Sequence, residues 1–319
     1  MPRLIADIGA TNARFWRVCD DFKVAARWDT STQRAQSVPR LLDAAMQQLG
    51  GDFTQALFAV AGPVLSDHAI AVTNADLVFQ VPDCVDHLGC PVHLVNDFHA
   101  LARGLPDFEK LRQIGGISPR AGAPKVVLGP GSGLGMASLV PVPVSHGRAT
   151  WAVVAGEGGH ADMSPTSHLE TELWSILSQE NGQVSWESVL SGAGILNLYR
   201  ATSIMWGAQP DDRSPEDICD SGVSMTEPIC HQTMELFASL LGCCAGNLAL
   251  TSGAQGGVYI AGGIAPKITD FLAVSPLRRR FEEKGPMSDY MQAIPIYVVE
   301  DESPGLIGAL ACARDLAAS

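Results

Sequence analysis

The feature that most constrains this chain is a unit that occurs twice: an apolar strand, a glycine-containing turn and a second apolar strand. The first copy is "LIADIGATNARFWRV" and the second is "PKVVLGPGSGLGMASLV". Glycine allows a sharp backbone turn because it has no β-carbon. Each copy therefore predicts two strands joined by a tight turn, and this pair is the one internal repeat that we identify.

Predicted strands and helices alternate along much of the chain, as is typical of α/β proteins. For example, "CPVHLVNDFHALARGL" reads as a strand, Val92 to Val95, followed by a helix that begins near Asp97. We expect "RWDTSTQ" to be a loop. We expect "SWESVLSGAGILNLYRATSI" to be helical at both ends and broken in the middle at Gly192 and Gly194.

The size and charge of the chain limit the classes of function. Its 319 residues, 46% hydrophobic and 17% charged, are enough for two domains or for one large α/β domain. The formal net charge is -13, so the mean field of the protein repels phosphate-rich partners. We therefore expect neither a nucleic acid nor a membrane as a partner. A small phosphorylated ligand is still allowed, because backbone N–H groups and Mg²⁺ can bind it.

Two further features concern location. The eight cysteines include no C-x-x-C pair, and we interpret them as reduced, mostly buried thiols of a cytoplasmic protein. Residues 236–265 carry no charged side chain, but Asn247 and several glycines interrupt this apolar run. A membrane-spanning helix needs about 20 mostly large apolar residues. We therefore predict a buried helix, a loop and a strand in this segment.

The first glycine turn carries groups that suit a phosphate and a metal ion. Successive N–H groups around Gly9 and Ala10 can form a concave cradle for phosphate oxygens. Thr11 and Asn12 add a hydroxyl and an amide, and Asp7 can hold Mg²⁺ directly or through water. The alternative is an ordinary β-hairpin, in which glycine and asparagine are common turn residues.

Two later glycine turns also follow apolar strands. The turn at Gly131, Ser132 and Gly133 again offers N–H groups and a hydroxyl. It lacks the G-K-[ST] of a P-loop and the spacing of the dinucleotide fingerprint. Gly262 and Gly263 end a third strand, where the lack of side chains lets a flat ring approach the backbone. A purely structural role remains the alternative for each turn taken alone.

Polar side chains between the glycine turns form a set that suits a polyol. Asp97, at the end of a strand, is placed as a general base, although Asn96 and Asp97 also suit a helix N-cap. Glu157 and His160 lie in the glycine-rich "GEGGH", and the alternative to ligand binding is that His160 has a structural role. We place Glu187 on a helix, where the alternative to ligand binding is a solvated acid on the helix surface. Carboxylates and amides bind adjacent hydroxyls, whereas an anionic substrate requires arginine or lysine, which these motifs lack.

The motifs, taken in their order along the chain, resemble those of the bacterial ATP-dependent glucokinases, within the hexokinase and actin-like ATPase superfamily. The resemblance covers nearly the whole chain and rests on the motifs "DIGATN", "TNADLVF", "VNDF", "GPGSGLG", "GEGGH", "ESVLSGAGILNLYR", "GNLAL", "VYIAGGIAP" and "SPGLIGA". It implies an α/β, two-domain actin-like ATPase (ribonuclease H-like) fold with an interdomain cleft. The small domain would contain residues 1–107 and 299–319, and the large domain residues 108–298. Members of the family are often homodimers, so we expect one.

The resemblance also implies a role for each candidate residue. Asp97 would be the catalytic base and, with Asn96, Glu157, His160 and Glu187, would bind glucose. The two phosphate turns would bind ATP through Gly9, Ala10, Thr11 and Asn12 and through Gly131, Ser132 and Gly133. Gly262 and Gly263 would contact adenosine, and Asp7 would face Mg²⁺. The expected activity is the phosphorylation of glucose by MgATP.

Two residues depart from the family pattern. Ala10 stands where a second glycine is usual, and its β-carbon requires either a negative φ or phosphates that do not pack directly on it. Pro130 removes one N–H donor from the second turn. Both departures leave open a sugar-sensing protein with weak catalysis, and the residues alone also allow a kinase for mannose, fructose or an amino sugar.

Overall fold

The computed structural model describes residues 2–73, 75–143 and 149–318, and these form two compact units. Unit one comprises the described residues of Met1–Glu109, Trp151–Ala155 and Asp301–Ser319. Unit two comprises those of Lys110–Thr150 and Gly156–Glu300. Asn74, in the motif "TNADLVF", lies outside the described residues.

The described part of the chain contains strands and helices in alternation. The strands are β1 (Arg3–Ile8), β2 (Asn12–Val18), β3 (Val24–Ser31), β4 (Gln55–Val60), β5 (Val64–Ser66), β6 (Ala69–Ala71), β7 (Val78–Gln80), β8 (Val92–Asn96), β9 (Leu111–Gln113), β10 (Lys125–Pro130), β11 (Leu134–Pro143), β12 (Ala149–Gly156), β13 (Val258–Ile260) and β14 (Ile296–Val299). The α-helices are α1 (Val38–Leu49), α2 (Val81–Leu88), α3 (Asp97–Arg103), α4 (His168–Asn181), α5 (Gly192–Met205), α6 (Pro215–Val223), α7 (Pro228–Ser252), α8 (Thr269–Val274), α9 (Leu277–Glu282), α10 (Ser288–Ala293) and α11 (Pro304–Ala318). Short 3-10 helices cover Thr32–Arg34, Leu105–Asp107, Gly158–His160, Ala265–Ile268 and Gly285–Met287.

The main sheet of unit one has five strands in the order β3-β2-β1-β4-β8. β1, β4 and β8 are parallel, and β2 and β3 are antiparallel to their neighbours. Alternate residues of β1 enter two apolar clusters: Leu4 packs with α1 and α2, and Ile5 packs with α3 and α11. Helices therefore cover both faces of the sheet, which explains the nearly continuous buried runs of β1 and β4.

Helices α3 and α11 approach each other closely at two glycines. A β-carbon on Gly308 would lie 2.0 Å from the carbonyl oxygen of Ala100. A β-carbon on Gly104 would lie 2.8 Å from the Cα atom of Gly308. Only glycine at these positions permits this spacing, so the motif "SPGLIGA" includes a packing requirement for α3.

The strands of unit two pair in the order β11-β10-β13-β14-β9. β10, β13 and β14 are parallel, whereas β11 and β9 are antiparallel to their neighbours. Among the described residues, α7 alone is long and apolar enough to cross a membrane, but 72% of its most apolar window is buried. Its side chains belong to the core of unit two, which confirms the predicted buried helix.

The repeated strand–turn–strand unit is confirmed in both copies. β1 pairs with β2 around the turn that follows Ile8, and β10 pairs with β11 around the turn that follows Pro130. In each unit the first strand of the hairpin also pairs with a parallel strand, β4 in unit one and β13 in unit two. Because a parallel sheet aligns its strand ends, each glycine turn lies at the carboxyl edge of its sheet.

Two local predictions are wrong. The segment predicted as a loop belongs mostly to β3, whose Trp28 stacks on Phe15 with ring centroids 5.5 Å apart. The segment predicted to be helical at both ends has a helix only at its second end, since α5 begins at Gly192. Ser191 caps this helix by accepting the Gly194 N–H at 3.0 Å, so the glycines start the helix where we expected them to break it.

Candidate functional site

The polar residues of unit one lie along the carboxyl edge of its parallel strands. Ile8 pairs with Val60, and Val60 pairs with Asn96, so β1, β4 and β8 end in register. The first glycine turn follows β1, and Asp97 follows β8 as the first residue of α3. The chain therefore brings the predicted phosphate turn and the predicted base to one edge of one sheet.

The first turn has a backbone geometry that tolerates alanine. The Gly9 N–H donates to the Asn12 carbonyl oxygen at 2.9 Å, which closes the turn. The side chains of Thr11 and Asn12 are exposed. Among the described non-glycine residues, only Phe22 and Met225 have a positive φ, so Ala10 meets the negative-φ requirement for its β-carbon.

Asp7 is a largely buried carboxylate beside this turn, with 18% of its side chain exposed. Arg14 pairs with it across the hairpin, with 3.6 Å between Arg14 Nη1 and Asp7 Oδ2. A β-carbon on Gly305, in the first turn of α11, would lie 2.5 Å from the same Oδ2 atom. Burial raises the pKa of Asp7, and the Arg14 guanidinium opposes that rise.

The raised pKa of Asp7 predicts that Asp7→Asn stabilises the ligand-free protein. The folded chain holds the Asp7 proton more tightly than the unfolded chain, so stability falls as pH rises from the ordinary carboxyl value, about 3.9, towards the raised pKa. The ionised group remains unfavourable at neutral pH. We expect the variant to melt about 2 °C higher at pH 7, with a smaller difference near pH 4. A lower Tm than wild type at pH 7 would contradict this account.

Asn96 holds the start of α3 next to Asp97. Its Oδ1 accepts the N–H groups of Phe98 and His99 at 2.9 and 3.1 Å, which is the N-cap role weighed in the sequence. Its Nδ2 donates to the Gly62 carbonyl oxygen at 3.2 Å. A primary amide has two N–H groups, so a second donor remains for a ligand. Asp97 is half-buried at the first position of the helix.

In unit two, the second glycine turn lies against the glycine pair that follows β13. The Ile264 N–H donates to the Pro130 carbonyl oxygen at 3.2 Å. Gly262 has a φ of +83°, and a β-carbon there would lie 2.4 Å from the same oxygen. Gly262 must therefore be glycine, and the second turn and the pair Gly262 and Gly263 form one surface without side chains, apart from Ser132.

The second turn has both bonded and outward-facing groups. The Gly131 N–H donates to the Gly133 carbonyl oxygen at 2.9 Å, and the Gly192 N–H donates to the Gly131 carbonyl oxygen at 2.8 Å. Ser132, at the tip, is exposed. Since Pro130 lacks an N–H and that of Gly131 is used internally, the N–H groups of Ser132 and Gly133 are the donors that suit a phosphate.

Glu157, His160 and Glu187 also come together in unit two. The His160 N–H donates to the Glu157 carbonyl oxygen at 3.0 Å within a short 3-10 helix. His160 Nδ1 lies 4.0 Å from Glu187 Oε1, and the Glu187 N–H donates to the Gly159 carbonyl oxygen at 2.8 Å. The exposed side chains of Glu157 and His160 are available to a polar ligand.

The prediction that Glu187 lies on a helix is wrong, because the residue lies in a turn before α5. Serine side chains favour this turn: the Ser188 hydroxyl donates to the Ser185 carbonyl oxygen at 2.6 Å, and the Ser185 hydroxyl accepts the Ser188 N–H at 3.3 Å. Glu187 Oε2 accepts the Leu134 N–H at 2.7 Å. The carboxylate therefore contacts the end of the second glycine turn.

Sequence reasoning missed three contributors to these sites. They are Arg14, the Gly62 carbonyl group and the Leu134 N–H. Arg14 had a signal, because Asp7 and Arg14 lie equally far from the centre of a predicted two-stranded hairpin. The two backbone groups had none, since their roles depend on distant parts of the chain.

Comparisons with known proteins identify the family of this chain. A family model described as glucokinase matches residues 4–316. A glucokinase of Neisseria meningitidis serogroup C is 40% identical, over 97% of this chain and 94% of that protein. Among solved structures, a glucokinase from an Antarctic psychrotroph has a TM-score of 0.86 and 30% identity, and covers 98% of this chain and 99% of its own.

A more distant solved structure has the same fold. It is a ROK family glucokinase from Streptomyces griseus in complex with glucose and AMPPNP, with a TM-score of 0.67 and 18% identity. The match covers 99% of this chain and 100% of that chain. This likeness extends the mixed α/β fold to the wider group of sugar kinases. From the family match and the 40% identity, the chain belongs to the glucokinase family.

Proposed function

We propose that this protein is a glucokinase, which transfers the γ-phosphoryl group of MgATP to the 6-hydroxyl of glucose. The observation that carries the proposal is the alignment of Asp97 and the first glycine turn at one sheet edge, in a member of this family. One edge thus offers both a base and a phosphate cradle. The test is the release of ADP and the formation of glucose 6-phosphate when the purified protein is given glucose and MgATP.

In the proposed mechanism, Asp97 accepts the proton of the 6-hydroxyl as the oxygen attacks the γ-phosphorus. A new bond forms between the sugar oxygen and phosphorus, the bond to the β,γ-bridging oxygen breaks, and ADP leaves. The N–H groups of the two glycine turns stabilise negative charge on the phosphates. Phosphoryl transfer requires mostly positioning and electrostatic stabilisation from a protein.

The residues beside the first turn fit Mg²⁺. Mg²⁺ prefers oxygen ligands and commonly binds one or two carboxylates together with substrate phosphates. Asp7 supplies such a carboxylate next to the turn, directly or through water, and Arg14 stabilises its ionised form. When bound, the ion would neutralise part of the triphosphate charge. The fit rests on the chemistry of the donor atoms.

Glucose would be held by Asn96, Asp97, Glu157, His160 and Glu187. We expect His160→Ala to raise the KM for glucose by about tenfold while kcat changes by less than about threefold, because one hydrogen bond to bound sugar is lost. Steady-state kinetics at saturating MgATP measures both constants. An unchanged KM with a reduced kcat would remove His160 from sugar binding.

The two structural units would correspond to the two domains that the resemblance implies, residues 1–107 with 299–319 and residues 108–298. The candidate sugar ligands are divided between the units, and the interdomain cleft that the resemblance implies would bring them to one sugar. Closure around the sugar would exclude water, which competes as a phosphoryl acceptor. Small-angle scattering should show a smaller radius of gyration when glucose is added.

Specificity, location and assembly complete the proposal. A panel of glucose, mannose, fructose and amino sugars in the ADP-release assay identifies the preferred hexose. Turnover well above background ATP hydrolysis would exclude a pure sugar sensor. All eight cysteines are free and six are buried, which fits a reducing cytoplasm. We propose a cytoplasmic homodimer, and analytical ultracentrifugation measures the state of assembly.

A further inference from the structure

The Glu187 carboxylate contacts two functional segments of unit two at once. Oε2 accepts the Leu134 N–H at 2.7 Å, at the end of the second glycine turn, and Oε1 lies 4.0 Å from His160 Nδ1. We propose that Glu187, besides binding sugar, is a positioning residue for the ATP phosphate turn and couples glucose binding to ATP binding. This inference rests on the proposed function.

Glu187 Oε2 lies close to two consecutive residues of the second glycine turn and its end, Gly133 and Leu134. A β-carbon on Gly133 would lie 2.5 Å from Glu187 Oε2, so the carboxylate occupies the space beside this glycine. Leu134, which donates the hydrogen bond, is 5% exposed. A hydrogen bond to a carboxylate in such a sheltered place is stronger than one in water. The carboxylate therefore fixes the orientation of the peptide that closes the turn.

The backbone that carries the Glu187 side chain is held by the loop of residues 157–161, which contains the candidate sugar ligands Glu157 and His160. The Glu187 N–H donates to the Gly159 carbonyl oxygen at 2.8 Å, and the Trp186 N–H donates to the Ala161 carbonyl oxygen at 3.0 Å. A β-carbon on Gly159 would lie 2.1 Å from the Leu134 carbonyl oxygen, so the loop also packs on the strand after the turn. A displacement of the loop thus reaches the turn through Glu187 and through this packing.

This geometry has a thermodynamic consequence. One-third of the Glu187 side chain is exposed, at 33%, and because the Leu134 N–H bonds to Oε2, we assign Oε1 to a sugar hydroxyl. A sugar bound to Oε1 limits the motion of Oε2 and therefore orders the phosphate turn before ATP arrives. Linkage requires the reverse effect of equal size, so bound nucleotide must tighten glucose binding by the same factor.

The first experiment measures nucleotide affinity without sugar. We expect Glu187→Ala to raise the Kd for MgAMPPNP about tenfold, because the turn loses its carboxylate acceptor. Glu187→Gln keeps an oxygen that can accept the Leu134 N–H, and its Kd should stay within about twofold of wild type. Both variants should bind glucose more weakly. Isothermal titration calorimetry measures the Kd of each ligand. Near wild-type nucleotide binding in Glu187→Gln, together with weak nucleotide binding in Glu187→Ala, identifies the positioning role.

The second experiment measures glucose affinity without nucleotide. Gly133→Ala places a methyl group against Glu187 Oε2, and we expect the Kd for glucose to rise at least about fivefold although the residue lies in the phosphate turn. Gly131→Ala is the matched control in the same turn. Its β-carbon would meet only ordinary contacts, with the Gly263 nitrogen at 3.7 Å and the Gly133 carbonyl oxygen at 4.0 Å. Its glucose Kd should stay within about twofold of wild type.

The outcomes separate this inference from the proposed function. If wild type neither binds glucose nor forms glucose 6-phosphate, the proposed function fails. If wild type is active but Glu187→Ala binds MgAMPPNP as wild type does, or both glycine variants bind glucose equally, the inference is wrong. Circular dichroism checks that each variant folds. If Gly133→Ala does not fold, the comparison between alanine and glutamine at position 187 decides.

Discussion

Replacing Asp97 with alanine is expected to lower kcat by about 10²–10⁴, the range for losing a positioned general base. The 6-hydroxyl would then lose its proton to water, and no side chain would orient the attacking oxygen. Asn96 would still cap α3, because its contacts to Phe98 and His99 use backbone N–H groups. Glucose binding should therefore be partly kept.

Steady-state kinetics with glucose and MgATP, together with calorimetric titration of glucose, tests this expectation. Asp97→Asn keeps the shape of the side chain without its basicity and should lose a similar factor in kcat. Asp86→Asn, at an exposed position of α2 in the same unit, is the matched control and should keep wild-type kcat. A rate near wild type in Asp97→Ala would show that another group accepts the proton.

The second large effect concerns stability. Gly308→Val is expected to lower the free energy of unfolding by about 3 kcal/mol, at the upper end for added groups in a tightly packed core. The new β-carbon would overlap the carbonyl oxygen of Ala100, and α3 and α11 would have to separate. For a unit of this size such a loss lowers Tm by roughly 6–12 °C.

Thermal unfolding followed by circular dichroism measures this change. Ala317→Val is the control, since it adds the same β-branched side chain at an exposed position of α11 and should cost about 0.5 kcal/mol or less. Because α3 begins with the proposed base, the kcat of Gly308→Val should also be reduced at temperatures below its unfolding transition. A Tm equal to that of the control would show that the two helices can adjust.

Much of the arrangement around the sites could be predicted from the sequence. The two hairpins were predictable because apolar strands and glycine turns are local signals, and the start of α3 at Asp97 followed from a strand joined to helical spacing. The core helix α7 was predictable because glycines and Asn247 interrupt the apolar run, which indicates a buried helix and not a membrane-spanning one. These features depend on residues close together in the chain.

The incorrect predictions concern segments whose structure depends on contacts between residues far apart in the chain. β3 contains polar residues typical of a loop, and it becomes a strand because β2 offers it a partner and Trp28 packs on Phe15. Glu187 lies in a turn that local serine side chains favour and that Leu134 and Gly159 hold through hydrogen bonds from other segments. Propensity cannot reveal such contacts, since they form between residues far apart in the sequence.

The discontinuous make-up of unit one has a consequence for biosynthesis. Its sheet and α3 are translated early, but α11, which packs against α3 at Gly308, leaves the ribosome only after every residue of unit two. Domains usually fold as units during translation, and contacts between distant residues form slowly. The face of the early sheet that contains Ile5 therefore stays uncovered until nearly all of this chain has been synthesised and α11 can pack on it.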